Sequence, residues 1–385
     1  MGEYARSLSI ARAARDRWPH VEIRFMLSRQ APYAASVPFA ATLLPSSATF
    51  HSAEVIRELR EFRPHIVIFD NAGRTQQLRA ARRVGARIVY ISARARQRAK
   101  AFRFSWMRLI DEHWIAYPKF TAGALGFRER LKLRIMHRPT VRYLDVILAR
   151  PSAPAAPPLA EAAVHALLVP GGGTGHPGAR DAVEQFRSAA RTLAAAGTPT
   201  VFVGPAIEDT AGSPDVTAAS EYATAGTDDP ASGKHPGLRC LLPLPQPELM
   251  ALMRVARIVI ANGGSTLLQA IACGCACVAV PIAGDQRERI AACVKAQVAR
   301  ASSLNAADIV ASSQALLNDE SQRAALAGRA LALQLKDGVE IALNAMAALA
   351  PGTALAPGGA LTPGAVTAGA AAPGAAARAP WGVSQ

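Results

Sequence analysis

Asn262-Gly263-Gly264-Ser265 is the stretch of this 385-residue chain whose residue types best suit holding an anion. Two adjacent glycines lack Cβ atoms, so a ligand can approach the backbone closely. Ser265 is a favoured N-cap. Residues 266–273, beginning at Thr266, are helical in composition and stop at Gly274. The first N–H groups of such a helix have no partner within it and lie at the positive end of its dipole, which suits a phosphate. The same glycines also suit a plain strand-to-helix turn that holds no ligand.

Apolar runs flank the turn. Residues 258–261 and 275–281 read as buried strands, so the stretch 257–286 is a strand, turn, helix and strand, the unit of a parallel α/β sheet. A second unit starts with a strand at 164–169. It continues through Pro170-Gly171-Gly172-Gly173-Thr174-Gly175-His176 into a helix at 179–196. Further strands are expected at 200–204 and 238–242, and helices at 246–255, 286–296, 306–317 and 321–349. The first half shows the same alternation. Helices are expected at 5–17, 54–62, 76–84 and 106–112, and strands at 21–28, 65–70, 87–92, 113–117 and 141–148. Asp70 closes the 65–70 strand at its carboxyl end, where α/β sheets place their ligands, or it caps the turn that follows.

These elements predict two doubly wound, Rossmann-like domains. The first covers 1–150. A Pro-rich linker at 151–160 separates it from a second at 161–335. Residues 336–350 belong to a helix returning to the first domain, and 351–385 form a Pro/Gly/Ala-rich disordered tail. The polar stretch 208–237 reads as an inserted loop.

Residues 262–286 resemble the donor-binding segment of GT-B glycosyltransferases, in particular the MurG-like and UDP-glycosyltransferase families. Gly263, Gly264, Ser265, Thr266, Gln269, Gly274, Pro281, Asp285 and Gln286 carry the resemblance at matching spacing. Gln269 stands where the family usually has a Glu, and Cys275-Ala276-Cys277 replaces its usual Gly-x-Pro run. The resemblance implies a GT-B fold of two domains facing across a cleft, and transfer of a sugar from a nucleoside-diphosphate sugar, chiefly a UDP-sugar. It implies inversion at the sugar, with no metal and no other cofactor. Gln269 would meet the ribose, and Asp285 and Gln286 the donor sugar. Gly173 and Thr174 would meet donor phosphate, and residues 242–245 the base. Asp285 with Glu288 also fits a helix capping box.

The start Gly2-Glu3-x-x-Arg6-x-Leu8-x-Ile10-Ala11 resembles the first helix of MurG-like N-terminal domains. In that family a strand and glycine-rich loop come before, so about ten to fifteen further residues are expected upstream, and the first strand is missing here. The family's usual loop histidine is replaced by Glu3. Glu3 is a candidate general base, or a helix-start residue favoured by the dipole. Asp70 is the alternative base. A nucleotide-sugar hydrolase and a non-catalytic binding homologue are the other readings on this fold.

The net charge is +15, and half the residues are apolar. Residues 1–150 hold 28 Lys/Arg against 11 Asp/Glu, with the excess greatest between Arg79 and Arg108, while the remainder is near neutral. A basic half fits an anionic or lipid-linked acceptor, as in cell-envelope polysaccharide synthesis, and a peripheral contact with the inner face of the cytoplasmic membrane. No nucleic-acid module is visible, and aromatics are too few for a stacking platform. No apolar run is long enough to span a membrane. Five cysteines without CxxC spacing read as buried free thiols of a cytoplasmic protein.

Overall fold

The computed structural model describes residues 2–31, 33–148, 164–171, 179–205, 237–350 and 379–384. The chain divides into two units, residues 1–148 with 336–385, and residues 149–335. In chain order the first unit begins α1 (Gly2–Arg17), β1 (Val21–Ser28), β2 (Ala40–Leu44), α2 (Ser52–Phe62), β3 (Ile66–Asp70), α3 (Thr75–Arg83) and β4 (Arg87–Ser92). It continues α4 (Ala95–Ala101), α5 (Phe104–Met107), β5 (Glu112–Ile115), α6 (Lys119–Ala122), α7 (Phe127–Met136) and β6 (Thr140–Tyr143). The second unit holds β7 (Ala166–Val169), α8 (Ala179–Ala195), β8 (Thr200–Val203), β9 (Leu238–Leu241), α9 (Gln246–Val255) and β10 (Ile258–Asn262). Then come α10 (Ser265–Ala272), β11 (Cys277–Val280), α11 (Gly284–Lys295), β12 (Arg300–Ala301), α12 (Ala306–Asn318) and α13 (Glu320–Ala332). The chain returns to the first unit with α14 (Gly338–Leu349) and β13 (Ala379–Ser384).

Both sheets are parallel and doubly wound. In the second unit the order is β12-β11-β10-β7-β8-β9, so the first strand in the chain is central. In the first unit the order is β2-β1-β13-β3-β4-β5-β6. The central place, next to the strand that follows α1, is taken by β13. Trp381 lies opposite Ile23 on β1 and Ile66 on β3 in the parallel ladder. The expectation that 351–385 is a disordered tail is therefore corrected for 379–384. A backbone slot between two central strands leaves N–H and C=O groups that must be paired, and an extended segment pairs them whatever its composition.

The inner strands β3, β5, β7, β8, β10 and β11 are buried on both faces, as a parallel sheet with helices on each side requires. Ile66 and Ile68 of β3 join a core with Tyr4, Ile10 and Ala14 of α1 and Leu343 and Met346 of α14. Val67 and Phe69 face the other way, into a core with Val55 and Leu59 of α2 and Leu78 of α3. Helix α2 shows how this is encoded. Val55, Leu59 and Phe62 recur at helical spacing, with Glu54 in the first turn and Arg60 in the last.

Three expected elements are cut short or broken. The helix expected at 106–112 is the single turn of α5, because Glu112 already belongs to β5. The long helix expected at 321–349 breaks into α13 and α14. Gln334 adopts a left-handed backbone, and the Asp337 side chain accepts from Val339 N–H to cap α14. At Gly338 an added Cβ would sit 2.0 Å from the Leu144 carbonyl oxygen, so this helix start packs against backbone. The strand expected at 141–148 ends at Tyr143, and Val146 bridges to Asp337 instead. No described helix is long and apolar enough to cross a membrane.

Candidate functional site

In the second unit the glycine turn after β10 is shaped by three side chains. The Asn262 amide donates to the Pro170 carbonyl, and its oxygen accepts from Gly264 N–H at 2.8 Å. It thereby ties the turn after β10 to the turn after β7. The Gln286 carbonyl oxygen accepts from Gly263 N–H at 3.2 Å and from Ile282 N–H at 3.0 Å. The buried Arg289 guanidinium donates to the Gly263 carbonyl and lies 3.6 Å from Asp285.

The glycines have a packing reason as well as a ligand reason. A Cβ on Gly263 would lie 2.7 Å from Ile290, and one on Gly264 would lie 2.6 Å from the Asn262 oxygen. A Cβ on Gly171, at φ +82°, would come closer still, 2.1 Å from the Asn262 amide nitrogen. The N-cap of α10 is Gly264, not Ser265 as its residue type suggests, and Ser265 is the first helical residue. With Gly263 and Gly264 N–H groups committed inward, those of Ser265 and Thr266 carry no hydrogen bond among the described residues. They are the groups at the positive helix end that remain for an anion.

The other expected donor residues are placed as follows. Gln269 lies one turn along α10 with 9% of its surface exposed. Asp285 is exposed, in the first turn of α11. The cap of α11 is Ala283, so the capping box expected at Asp285 does not form. Gln286 is buried with its carbonyl oxygen spent on the backbone, which leaves its NH2 group for a ligand. Gly173 and Thr174 lie outside the described residues. Leu242, in the segment implied for the base, is 64% exposed.

In the first unit, Asp70 is completely buried at the end of β3. It accepts from Arg6 Nε at 2.9 Å and Arg6 Nη2 at 2.5 Å, and from Ser7 Oγ at 3.3 Å. Burial raises its carboxyl above the usual range, and the Arg6 guanidinium opposes that rise. With no exposed surface and both oxygens engaged by α1, Asp70 joins helix to sheet and has no room for an acceptor.

Glu3 is only half-buried. Its Oε1 accepts from Asn71 Nδ2 at 2.6 Å. Asn71 has a left-handed backbone, φ 53°, and its own oxygen accepts from Ala93 N–H at 2.7 Å. That second bond fixes the amide so that its NH2 points at Glu3. A carboxylate held at the carboxyl ends of β3 and β4 by an oriented partner has the geometry of a general base. Sequence reasoning missed Arg6, Ser7 and Asn71 as members of this cluster. The signal present was an Asn directly after a strand-ending Asp, a pair suited to a left-handed turn.

Among the described residues no three His, Cys, Asp or Glu side chains gather closely enough to hold a metal ion. The cysteines are free, and Cys275, Cys277 and Cys293 are buried. Burial pushes the Cys275 and Cys293 thiols up to about 12, so they stay protonated.

No protein-family model matches the chain. No curated protein matches it in sequence either. Solved structures do resemble it. The spinosyn forosaminyltransferase SpnP superposes with a TM-score of 0.59 at 12% identity, over 89% of this chain and 94% of that one. The spinosyn rhamnosyltransferase SpnG, complexed with thymidine diphosphate, gives 0.54 at 14%, over 90% and 97%. The S. aureus MnaA–UDP complex gives 0.52 at 11%, over 85% and 96%.

Proposed function

We propose that this protein transfers a sugar from a nucleoside-diphosphate sugar, a UDP-sugar in the first instance, to an acceptor hydroxyl. The fold is that of the two-domain GT-B glycosyltransferases, and several of the structures it resembles are sugar-transferring enzymes. The observation that carries this reading is the turn after β10. Asn262, Gln286 and Arg289 hold it so that the Ser265 and Thr266 N–H groups stay unspent at the start of α10. A diphosphate bound there gains hydrogen bonds and a favourable dipole, and both strengthen as negative charge builds on the leaving group. Two of the similar structures hold thymidine diphosphate and UDP.

In this reading Asp285 and the Gln286 NH2 group meet the donor sugar and Gln269 the ribose, with Gly173 and Thr174 as further phosphate contacts. Glu3 takes the proton from the acceptor hydroxyl as its oxygen attacks the anomeric carbon and the nucleoside diphosphate leaves. One displacement of that kind inverts the anomeric centre. Charge on the leaving diphosphate is met by helix N–H groups, and the transfer is proposed to run without a metal.

The test starts with thermal stabilisation by UDP-, dTDP- and GDP-sugars, since a ligand at 100 times its Kd stabilises by about 2.7 kcal/mol. Transfer is then assayed with the stabilising donor. Glu3→Gln is expected to lower kcat by about 10²- to 10⁴-fold, with donor stabilisation unchanged. Full activity in that variant removes Glu3 from the mechanism. Release of free sugar at the same rate with and without acceptor makes the protein a hydrolase.

A further inference from the structure

Helix α7 carries no buried residue. Phe127, Leu131 and Ile135 are 73%, 45% and 60% exposed. At four-residue spacing they form one stripe covering about 80° of the helix surface, since each residue advances 100°. An ordinary surface helix turns such a stripe inward. Here Leu133 and Met136 face inward, half-buried, and the larger stripe faces out. Phe104, exposed on α5, extends the apolar surface, with the Lys132 ammonium 5.4 Å from its ring centre.

The rim of the stripe is basic on both sides. Counting 100° per residue, Arg130 and Arg134 flank it on one edge and Arg128 and Lys132 on the other. The one carboxylate of the helix, Glu129, is turned away and neutralised. Its two oxygens accept from Arg98 at 2.9 and 2.7 Å. Arg128, Arg130 and Arg134 make no ion pair among the described residues. The neighbouring segment adds to the field, because residues 71–110 contain eleven Lys/Arg and no Asp or Glu. Lys100 registers that field. Its ammonium is pushed down by burial and by the positive charges of Arg74, Arg103 and Arg96.

An exposed apolar stripe between two rows of cations is the surface of a helix that lies in a bilayer interface, apolar residues in the acyl boundary and cations at the headgroups. A second copy of this chain fits it poorly, because that contact would set arginine against arginine. A nucleic acid would use the cations and leave the stripe in water. We propose that α7, with Phe104 beside it, docks the protein on an anionic membrane surface. The proposal is independent of the transfer reaction, since it concerns binding with no substrate present.

The test is co-sedimentation of the full chain with vesicles of phosphatidylcholine alone and of phosphatidylcholine with phosphatidylglycerol. Binding is expected only to the anionic vesicles, and is expected to collapse at 1 M salt, where the screening length falls to about 3 Å. Replacing Phe127, Leu131 and Ile135 together by Ser is expected to weaken binding at least tenfold. Arg128→Gln, Arg130→Gln and Arg134→Gln are each expected to cost about fivefold. All these residues are exposed, so circular dichroism and the melting temperature should stay at wild-type values. Phe127→Trp gives a second readout, a blue shift of its emission on anionic vesicles. Absence of binding to anionic vesicles at low salt overturns the proposal. So does binding that the triple Ser variant leaves intact, or self-association of the chain that the triple Ser variant abolishes.

Discussion

The two sheets of this protein have one topology reached by two routes. In the second unit the central strand, β7, comes first in the chain, and β10 lies beside it. In the first unit the central strand is β13, from the other end of the chain, and β3 lies beside it. Asp70 and Asn262 occupy equivalent places, each the last residue of the strand next to the central one. Asn262 joins two turns through neutral hydrogen bonds to Pro170 and Gly264. Asp70 joins sheet to helix through a buried ion pair with Arg6. A connection between neighbouring turns can be made by an amide. The connection between α1 and the end of β3 is made by a charge pair.

Substitutions can break this comparison. The largest effect is expected at Asp70. Asp70→Ala leaves the Arg6 guanidinium buried and unpaired, which should cost about 3–5 kcal/mol in a urea titration. Next come prolines placed in the two central strands. Val383→Pro in β13 and Leu168→Pro in β7 should each cost about 3 kcal/mol or more, since a proline removes a ladder N–H from a strand paired on both sides. If Val383→Pro leaves the melting temperature unchanged, β13 is not the strand that completes the first sheet.

Asn262→Ala is expected to cost less than Asp70→Ala, about 1–3 kcal/mol, because what it orphans is neutral. It should also abolish stabilisation by nucleoside diphosphates, which Asp70→Ala should not. Equal costs at the two positions would mean that charge makes no difference between the pins.

A further effect depends on pH, and it belongs to the first unit. His113 is fully buried against Ser92, its Nε2 2.8 Å from the hydroxyl oxygen, and Nδ1 has no partner. Burial pushes its pKa from 6.5 down to about 3. The unfolded chain therefore takes up a proton before the folded one does. The stabilisation is complete above about pH 6.5 and falls by about 1.4 kcal/mol per pH unit as pH drops toward 3. His113→Gln should flatten that slope in a series of melts between pH 7 and pH 5. An unchanged slope would place the acid sensitivity elsewhere.

Much of the fold was legible because a doubly wound sheet buries both faces of its strands. Runs such as Ile66–Asp70 and Ile258–Asn262 therefore read as strands without any partner in view. The glycine turn after β10 was legible because its residues follow a short fixed spacing, from Gly263 to Gln286. The first-unit cluster was not. Nothing local marks Arg6 as the partner of Asp70, 64 residues away. Asn71 reads as an ordinary turn residue until Ala93 and Glu3 are placed on either side of its amide. Strand β2 was missed because only one of its five residues is buried, which leaves it no hydrophobic run. The stripe on α7 is visible as a pattern of Phe, Leu and Ile, but a pattern does not say which way it faces.

The sequence by itself determined the alternation of strands and helices, the glycine turn after β10 and the basic character of the first half. Each follows from local composition or from short fixed spacings. Only the tertiary structure decided that Ala379–Ser384 fills the centre of the first sheet. It also decided that Asp70 is bound to Arg6 and out of reach while Glu3 is oriented and open. These depend on which backbone slots and buried charges remain unmatched once the other elements have packed, and that is a property of the whole unit.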